Sequence, residues 1–187
     1  MKKVLLVLSL IITGQTGFVY AQKADPSNDL GSAPLSTGRN ELKLNLFYTV
    51  LGVGELTYER VVGENSGVGA SLAVGLDSDS DYKFSILPYY RMYFGKKQAA
   101  GFFIEGNAGF LSYRDGFEYS YYLNGEEVIS GDNFTNKTSL GIGFATGGKF
   151  LNKNGFFGEA FLGVGRLFNS EYAEAYPRIG ITLGKRF

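Results

Sequence analysis

From residue 41 onward, apolar and polar residues alternate with a period of two. Leu42, Leu44, Leu46, Tyr48 and Val50 form an apolar stripe, and the residues between them are polar except for one phenylalanine. This alternation predicts half-buried β-strands, because the apolar residues of a helix recur every three to four positions. Eight such segments follow one another, at approximately residues 41–51, 55–62, 67–76, 83–94, 102–113, 139–150, 156–167 and 177–187.

The number, length and connections of these segments indicate a transmembrane barrel. Each is close to the roughly 9–11 residues that a tilted strand needs to cross a bilayer. Short turns alternate with longer polar loops, as periplasmic turns and external loops do in outer-membrane barrels, although the first loop, residues 51–54, is as short as a turn. Residues 40–187 are therefore predicted to form an all-β, eight-stranded, antiparallel, up-and-down transmembrane β-barrel.

The distribution of bulky and charged residues predicts which face of each strand contacts lipid. A soluble barrel of the lipocalin type directs its large apolar residues inward. Here the apolar face is bulky and nearly uncharged, whereas the other face mixes Gly, Ser and Ala with charged residues and could not serve as a main core. The apolar face is therefore predicted to lie outside, in lipid. Its charged residues, Arg60, Arg166 and Lys185, lie near strand ends, where a charge costs little.

Aromatic residues on the predicted lipid face also lie near the strand ends. This distribution resembles the two aromatic girdles of membrane barrels. The residues are Phe94, Phe102, Phe150, Phe156 and Phe187 at one rim, and Tyr48, Phe84 and Phe110 toward the other.

The first 39 residues do not follow the strand pattern. Two lysines precede an apolar run that is too short to cross a bilayer as a helix, and a cleavage site is expected after Ala21. Residues 1–21 are therefore predicted to be a secretory signal peptide, with an uncleaved anchor as the alternative. Residues 22–39 are polar, contain proline and show no apolar periodicity, which predicts a disordered tail.

The composition excludes several kinds of chemistry. The chain contains 16 Phe, 13 Tyr and 27 Gly but no Cys, His or Trp. Without Cys there is no disulfide, thiolate metal site or cysteine nucleophile. Without His there is no Ser-His-Asp triad and no imidazole ligand for a transition metal. The net charge of zero argues against a basic nucleic-acid binder. We therefore expect no catalysis, no cofactor and no nucleic-acid partner.

The last segment resembles the terminal strand that outer-membrane barrels present to the barrel-assembly machinery. Ile179, Ile181 and Leu183 share the parity of Phe187, the last residue of the chain. Lys185 departs from this pattern, since an apolar or aromatic residue is more usual at its position. The four apolar residues are predicted to form the assembly signal.

Three segments carry a resemblance to a known family. ELTYER (55–60), LPYYRMYFGKK (87–97) and AAGFFIEGNAGF (99–110) are similar to a domain-of-unknown-function family of small Gram-negative outer-membrane barrels. The resemblance covers most of residues 40–187. It implies the fold and a location in the outer membrane, in contact with lipid and lipopolysaccharide. It implies no activity, because the family has no agreed one.

Charged residues on the inward face predict a filled interior. One inward charge per strand, taken near the periplasmic end, gives alternating signs around the wall with a gap at the third strand. Because an eight-stranded barrel is just wide enough for its own side chains, opposite charges at one level are expected to form charge-assisted hydrogen bonds. The predicted salt-bridge network consists of Lys43, Glu59, Arg91, Glu105, Lys149, Glu159 and Arg186.

Two other roles for these residues are weaker. A proton or ion path would use the same charges, but alternating signs satisfy one another and leave little reason for ions to pass. A glycosidase-like carboxylate pair among Glu59, Glu105 and Glu159 would be held ionised by the cations between them, in a lumen too narrow for a glycan. We therefore favour a salt-bridged plug.

Two features of the predicted loops are candidates for binding. Asp77, Asp79 and Asp81 are a weak candidate for a divalent cation, because the Gly and Glu of an EF-hand loop are missing; a solvated acidic loop is the alternative. The loop at residues 114–138 contains five aromatic residues and an Asn-Gly hairpin signal. These aromatics either form a recognition surface for an unidentified ligand or extend two strands above the membrane. They are Phe117, Tyr119, Tyr121, Tyr122 and Phe134.

The sequence thus favours a monomeric integral outer-membrane protein with a structural or surface-interaction role. A small-solute or ion pore is the second hypothesis. An outer-membrane lipid-modifying enzyme is the third, and the absence of His makes it the weakest.

Overall fold

The computed structural model describes residues 38–77, 81–123, 126–168 and 174–187. The predicted signal peptide, and all but the last two residues of the predicted tail, lie outside this part of the chain and stay predictions. The elements in chain order are β1 (Asn40–Asn45), α1 (Leu46–Val50), β2 (Val53–Val61), β3 (Ser66–Gly75), β4 (Tyr82–Tyr93), β5 (Gly101–Leu123), β6 (Glu126–Leu151), β7 (Phe156–Phe168) and β8 (Ala175–Arg186).

The strands form a closed antiparallel barrel in which each strand pairs with its neighbours in the chain and β1 pairs with β8. At the closure, the backbone N–H of Asn40 donates to the carbonyl of Phe187 (3.0 Å), and the N–H of Phe187 donates to the carbonyl of Asn40 (2.8 Å). The predicted eight-stranded up-and-down barrel is confirmed. Among the described residues, no helix is long and apolar enough to cross a membrane.

The two ends of the barrel differ in their connections. The turns at residues 62–65, 94–100 and 152–155 lie at the same end as Asn40 and Phe187, and we call this the turn end. The opposite end carries α1 and the connections that follow β3, β5 and β7, and we call it the loop end.

The first strand is shorter than predicted. β1 ends at Asn45, whose side-chain oxygen caps α1 by accepting a hydrogen bond from the backbone N–H of Tyr48 (3.4 Å). After α1, Gly52 has a φ of +79°, a left-handed conformation that suits glycine at the end of a helix. The strand prediction is therefore wrong for residues 46–51, because a capping residue and a terminating glycine favour a helical turn there.

β5 and β6 are longer than predicted because the loop expected at residues 114–138 continues both strands. Residues 115–123 of β5 pair only with β6 and form a two-stranded hairpin beyond the barrel wall, whereas the N–H of Arg114 still donates to the carbonyl of Asp81 (2.6 Å). The strand extension is therefore observed, and the recognition surface stays a prediction. The predicted turn at residues 124–125 lies outside the described residues.

Burial alternates along the strands and separates two faces of the wall. In β3, Ser71 and Ala73 are buried in the interior, whereas Leu72 and Val74 are exposed on the outside. The bulky apolar face therefore lies outside and the face with small and charged residues lies inside. The residues of the predicted assembly signal all lie on the outer face, namely Ile179, Ile181, Leu183 and Phe187.

Candidate functional site in the barrel interior

Among the residues that the structure describes, ten charged side chains are buried in the interior, five of them glutamates and five lysines or arginines. Buried charges are tolerated when they are paired and hydrogen-bonded. Among the described residues, every buried side-chain nitrogen or oxygen has a hydrogen-bond partner. We call the ten residues the charge column, which contains all seven residues of the predicted network: Glu41, Lys43, Glu55, Glu59, Arg91, Glu105, Lys149, Glu159, Arg178 and Arg186.

At the turn end, the charge column begins with Arg186. Its guanidinium donates to the Glu41 carboxylate from Nε (2.8 Å) and Nη2 (2.6 Å). It also donates to the backbone carbonyls of Gln98 (3.0 Å) and Ala99 (2.9 Å). One rigid guanidinium fork therefore joins β8, β1 and the turn between β4 and β5, and closes the turn end.

Beyond this contact, two ammonium groups lie among three carboxylates. Nζ of Lys43 is 2.7 Å from Glu59 and 2.8 Å from Glu159. Nζ of Lys149 is 2.7 Å from Glu41 and 3.2 Å from Glu159. Longer contacts, from Lys43 to Glu41 (3.5 Å) and from Lys149 to Glu59 (3.3 Å), complete the set. Each ammonium, with its three donors, thus contacts all three carboxylates.

The same three carboxylates lie close enough together to contact one metal ion. Glu41, Glu59 and Glu159 carry oxygens within 4.8 Å of one another. The ammonium groups of Lys43 and Lys149 lie on these oxygens and supply the positive charge that a cation would bring. Because the oxygens already have cationic donors, we assign no metal to the cluster.

Glu59 also accepts hydrogen bonds from two tyrosines, Tyr89 (2.7 Å) and Tyr93 (2.5 Å). Its carboxylate lies against β3, where a Cβ at Gly67 would collide with it. β3 is the strand at which the alternation of charge signs shows a gap. At this level β3 carries a glycine instead of a charged residue, and the Glu59 side chain occupies the space that a larger residue would fill.

Arg91 connects the lysine cluster to the next part of the charge column. Its Nε donates to Glu105 (2.7 Å) and its Nη1 donates to Glu159 (2.9 Å). The guanidinium carbon lies 4.2 Å from the ring centre of Phe103 and 4.7 Å from that of Tyr89. Aromatic faces thus surround the buried cation where it has no ionic partner.

Toward the loop end, the charge column stops at Arg178. Its three nitrogens donate to Glu105 (3.0 Å), Glu55 (2.9 Å) and the Ser71 hydroxyl (3.0 Å). The sequence analysis missed Arg178, Glu55 and Glu41 because it took one inward charge per strand near the turn end. Strand parity could have identified them, because each lies an even number of residues from a predicted member of the network on the same strand and therefore points inward.

No side chain of the described residues fills the interior between Arg178 and the loop end, so the predicted filled interior is observed in the turn half only. A cavity of 340 Å³ lies there, and we call it the upper cavity. Arg178 and Glu55 form its floor, and most of its wall is apolar or aromatic. Wall residues on the inner face of the strands include Tyr82, Leu87, Leu111, Tyr113, Leu167 and Tyr176.

The remaining candidates lie away from the interior. Asp77 and Asp81 are exposed, and Asp79 lies outside the described residues. Phe134 of β6 packs against Arg114, whose guanidinium carbon is 3.6 Å from the ring centre. Four further candidates have their backbones in β5 and side chains outside the described part of the structure, namely Phe117, Tyr119, Tyr121 and Tyr122.

No protein-family model, curated protein or solved structure matches this chain.

Proposed function

We propose that the protein is a monomeric integral β-barrel protein of the outer membrane of a Gram-negative bacterium, with a structural or surface-interaction role and no catalytic one. In this proposal the turn end faces the periplasm, lipid and lipopolysaccharide surround the wall, and the barrel-assembly machinery reads the last strand. Nucleic acid is not a partner. The observation that carries the proposal is an uncharged apolar band around an interior that holds ten buried charges.

The height of the apolar band supports membrane insertion. On β7 and β8 the outer face carries no charge between Lys185, near the turn end, and Arg166, near the loop end. Arg166 pairs with Ala175, ten residues from Lys185 along β8. This separation is about 33 Å at about 3.3 Å per residue, or roughly 25 Å along the axis for strands tilted by about 35–45°. Membrane barrels carry an apolar band of roughly the same height, about 25 Å.

The composition of the outer face is also compatible with hydrocarbon. Thr146 lies within the band on β6, and its hydroxyl donates to the carbonyl of Phe103 (3.0 Å), so this polar group needs no water. At the turn end, five exposed phenylalanines form the kind of aromatic ring found at membrane interfaces. They are Phe94, Phe102, Phe150, Phe156 and Phe187.

The charge column supports a barrel that does not conduct. Its opposite charges meet at distances of 2.6–3.5 Å from the turn end to the floor of the upper cavity. An ion crossing the lumen would have to separate charge-assisted hydrogen bonds in a space with little room for water. The proposal therefore includes no transport function.

The β5–β6 hairpin supports a surface-interaction role. Residues 115–123 reach roughly 30 Å beyond the wall at about 3.3 Å per residue. At the base of the hairpin, Lys137 and Asp115 form an ion pair of 2.8 Å, next to the contact between Arg114 and Phe134. A ribbon that stands clear of the barrel is accessible to an extracellular ligand.

Single-cysteine variants test the proposed orientation in the membrane, since the chain has no cysteine of its own. Nitroxide labels on Leu72→Cys and Ile181→Cys are expected to collide with oxygen and not with a water-soluble nickel chelate. The inward neighbours Ser71→Cys and Thr182→Cys are expected to stay unreactive toward aqueous thiol reagents until the protein unfolds. Labels at Leu72 and Ile181 that report water would contradict the proposal.

Planar-bilayer recordings separate this function from a pore. We expect no stable open level for the wild-type barrel, because the charge column closes the lumen. A stable open level whose conductance changes on neutralising Glu105 or Arg91 would instead indicate a pore. Sedimentation with the outer-membrane fraction, together with heat-modifiable migration on a gel, tests the location directly.

A further inference from the structure

The wall of the barrel is incomplete at the loop end. β1 pairs with β8 only as far as Asn45 and Thr182. Residues 175–181 of β8 therefore pair with β7 alone. α1 packs beside this edge in place of a strand. We call the gap between α1 and residues 175–181 the seam.

Two side chains bond to the free edge of β8. The Asn45 amide donates to the carbonyl of Ile179 (3.1 Å), and the Tyr48 hydroxyl donates to the carbonyl of Pro177 (3.0 Å). Proline has no backbone N–H, so Pro177 leaves no donor without a partner at this edge. These features matter in a membrane, where each unsatisfied backbone group costs several kcal/mol. The two side chains and the proline thus reduce the number of unsatisfied backbone groups that the seam would present to lipid.

The upper cavity extends to the seam. Its lining includes Tyr176 and Arg178 from the inner face of β8, and also Ala175 and Pro177 from the outer face of the same strand. Successive side chains of a strand point to opposite faces, so a lining that includes all four residues places the cavity along the unpaired edge of β8. The cavity therefore borders the seam.

The chemistry of the upper cavity favours a hydrocarbon ligand. Leu87, Leu111 and Leu167 contribute to its wall. Its polar side chains are hydrogen-bonded within the protein. The Tyr176 hydroxyl donates to Asn107 (2.5 Å), and Arg178 donates to three acceptors, one of which is Glu55. The hydroxyls of Tyr48, Tyr82 and Tyr113 bond to the Pro177 carbonyl, Ser85 and Ser139. A mainly apolar wall whose polar groups are already paired favours an apolar ligand over a polar one. Its volume of 340 Å³ falls within the roughly 300–1,000 Å³ of small-molecule pockets.

We infer that the upper cavity binds one hydrocarbon chain of an outer-leaflet lipid, which enters sideways through the seam. This inference rests on the proposed function, because only a membrane-inserted barrel presents the seam to lipid. The chain end lies above the Arg178–Glu55 pair, and the headgroup stays outside at the membrane surface. Binding is reversible and involves no covalent step.

Photo-crosslinking in a bilayer tests the inference. The full chain is refolded into phosphatidylcholine vesicles without free fatty acid, with benzoylphenylalanine replacing one residue at a time. Leu87→benzoylphenylalanine reports on the cavity. Leu72→benzoylphenylalanine, on the outer face, is the positive control, and Phe161→benzoylphenylalanine, inside the turn half, is the negative control. We expect an adduct with the mass of the phospholipid at Leu87 and Leu72 and none at Phe161.

Each outcome has a separate meaning. Adducts at Leu72 but at neither Leu87 nor a second cavity position, Leu167, would overturn the inference and leave the proposed function intact. No adduct at Leu72 would instead contradict the proposed function itself. An adduct at Leu87 that forms only after free fatty acid is added to the water would overturn sideways entry.

A substitution at the seam tests the route. Ala175→Phe places a ring where the cavity meets the outer surface, and we expect it to lower the adduct yield at Leu87 several-fold. Ala160→Phe makes the same change on the outer face of β7, away from the cavity, and should leave the yield unchanged. Equal yields in the two variants would contradict entry through the seam.

Discussion

The turn half and the loop half of the interior are enclosed by the same strands but are occupied in opposite ways. The turn half holds the charge column, in which buried carboxylates and cations satisfy one another. The loop half holds the upper cavity, whose wall is mainly apolar and which is empty of side chains. The boundary between them is a single ion pair, Arg178 with Glu55.

This difference follows the completeness of the wall. Where β1 and β8 pair, every inward charge can be surrounded by partners from several strands. Where α1 replaces a strand, a charge near the seam would lack partners on one side and would lie close to lipid. Because an unpaired buried charge is costly, most of the buried charges lie in the closed half, and Arg178 and Glu55, at the edge of the open half, pair with each other.

Removing one carboxylate from the closed half should have the largest effect. Glu59→Gln removes a partner of Lys43, Arg91 and Lys149 and leaves five cations against four carboxylates in the charge column. We expect a loss of about 3–5 kcal/mol in the free energy of unfolding, the usual cost of breaking a buried pair. Urea titration of the bilayer-embedded barrel, followed by heat-modifiable gel migration, measures this loss.

Glu64→Gln is the matched control for Glu59→Gln. Glu64 lies exposed in the turn between β2 and β3, so the same change in charge should cost less than about 0.5 kcal/mol. Equal stability of the two variants would show that the charge column does not stabilise the closed half.

A charge introduced on the outer face tests whether the apolar band lies in hydrocarbon. Leu72→Arg, in the middle of β3, should cost about 2–4 kcal/mol in the same titration, because arginine at mid-bilayer is poorly solvated. Leu76→Arg, just after the end of β3, should cost about 0–1 kcal/mol. A cost that does not depend on position would argue against an apolar band in hydrocarbon.

Asn45→Ala acts at the border between the two halves. It removes the cap of α1 and the hydrogen bond to Ile179, so we expect a loss of about 1–2 kcal/mol in the free energy of unfolding. Hydrogen exchange should also increase in residues 175–181 while that of β3 stays unchanged. Asn154→Ala, in an exposed turn, is the control and should alter neither quantity.

The smallest effect is expected for an ion pair outside the barrel. Lys137 and Asp115 lie 2.8 Å apart, nearly as close as Arg91 and Glu105 at 2.7 Å, but the hairpin pair is partly exposed. Asp115→Asn should therefore cost less than about 1 kcal/mol, whereas Glu105→Gln should cost about 3–5 kcal/mol. A double-mutant cycle for each pair measures its coupling energy. Similar coupling energies for the two pairs would show that burial does not determine how much each pair stabilises the protein.

Much of the wall could be predicted because strand parity is a local property. A side chain two positions along a strand points to the same face whatever the partner strand is, so the outward position of Leu72 or Ile181 follows from the sequence. The same reasoning assigned Glu59 and Arg91 to the interior. It did not select Glu41, since it considered only one level of the barrel.

Other features depend on contacts that parity does not describe. The alternation of Leu46, Tyr48 and Val50 is compatible with a strand, yet Asn45 caps a helix there and bonds to a strand more than a hundred residues away. Which carboxylate each cation meets depends on the register of all eight strands and on side-chain length.

The sequence alone determined the strand count, the faces of the wall and the presence of opposite charges inside, because these follow from residue type and a period of two. Only the tertiary structure decided where the charge column stops, where β1 ceases to pair with β8, and that β5 and β6 continue beyond the barrel wall. Those outcomes depend on pairing between distant residues, and the energy of each pair exists only once the barrel has closed.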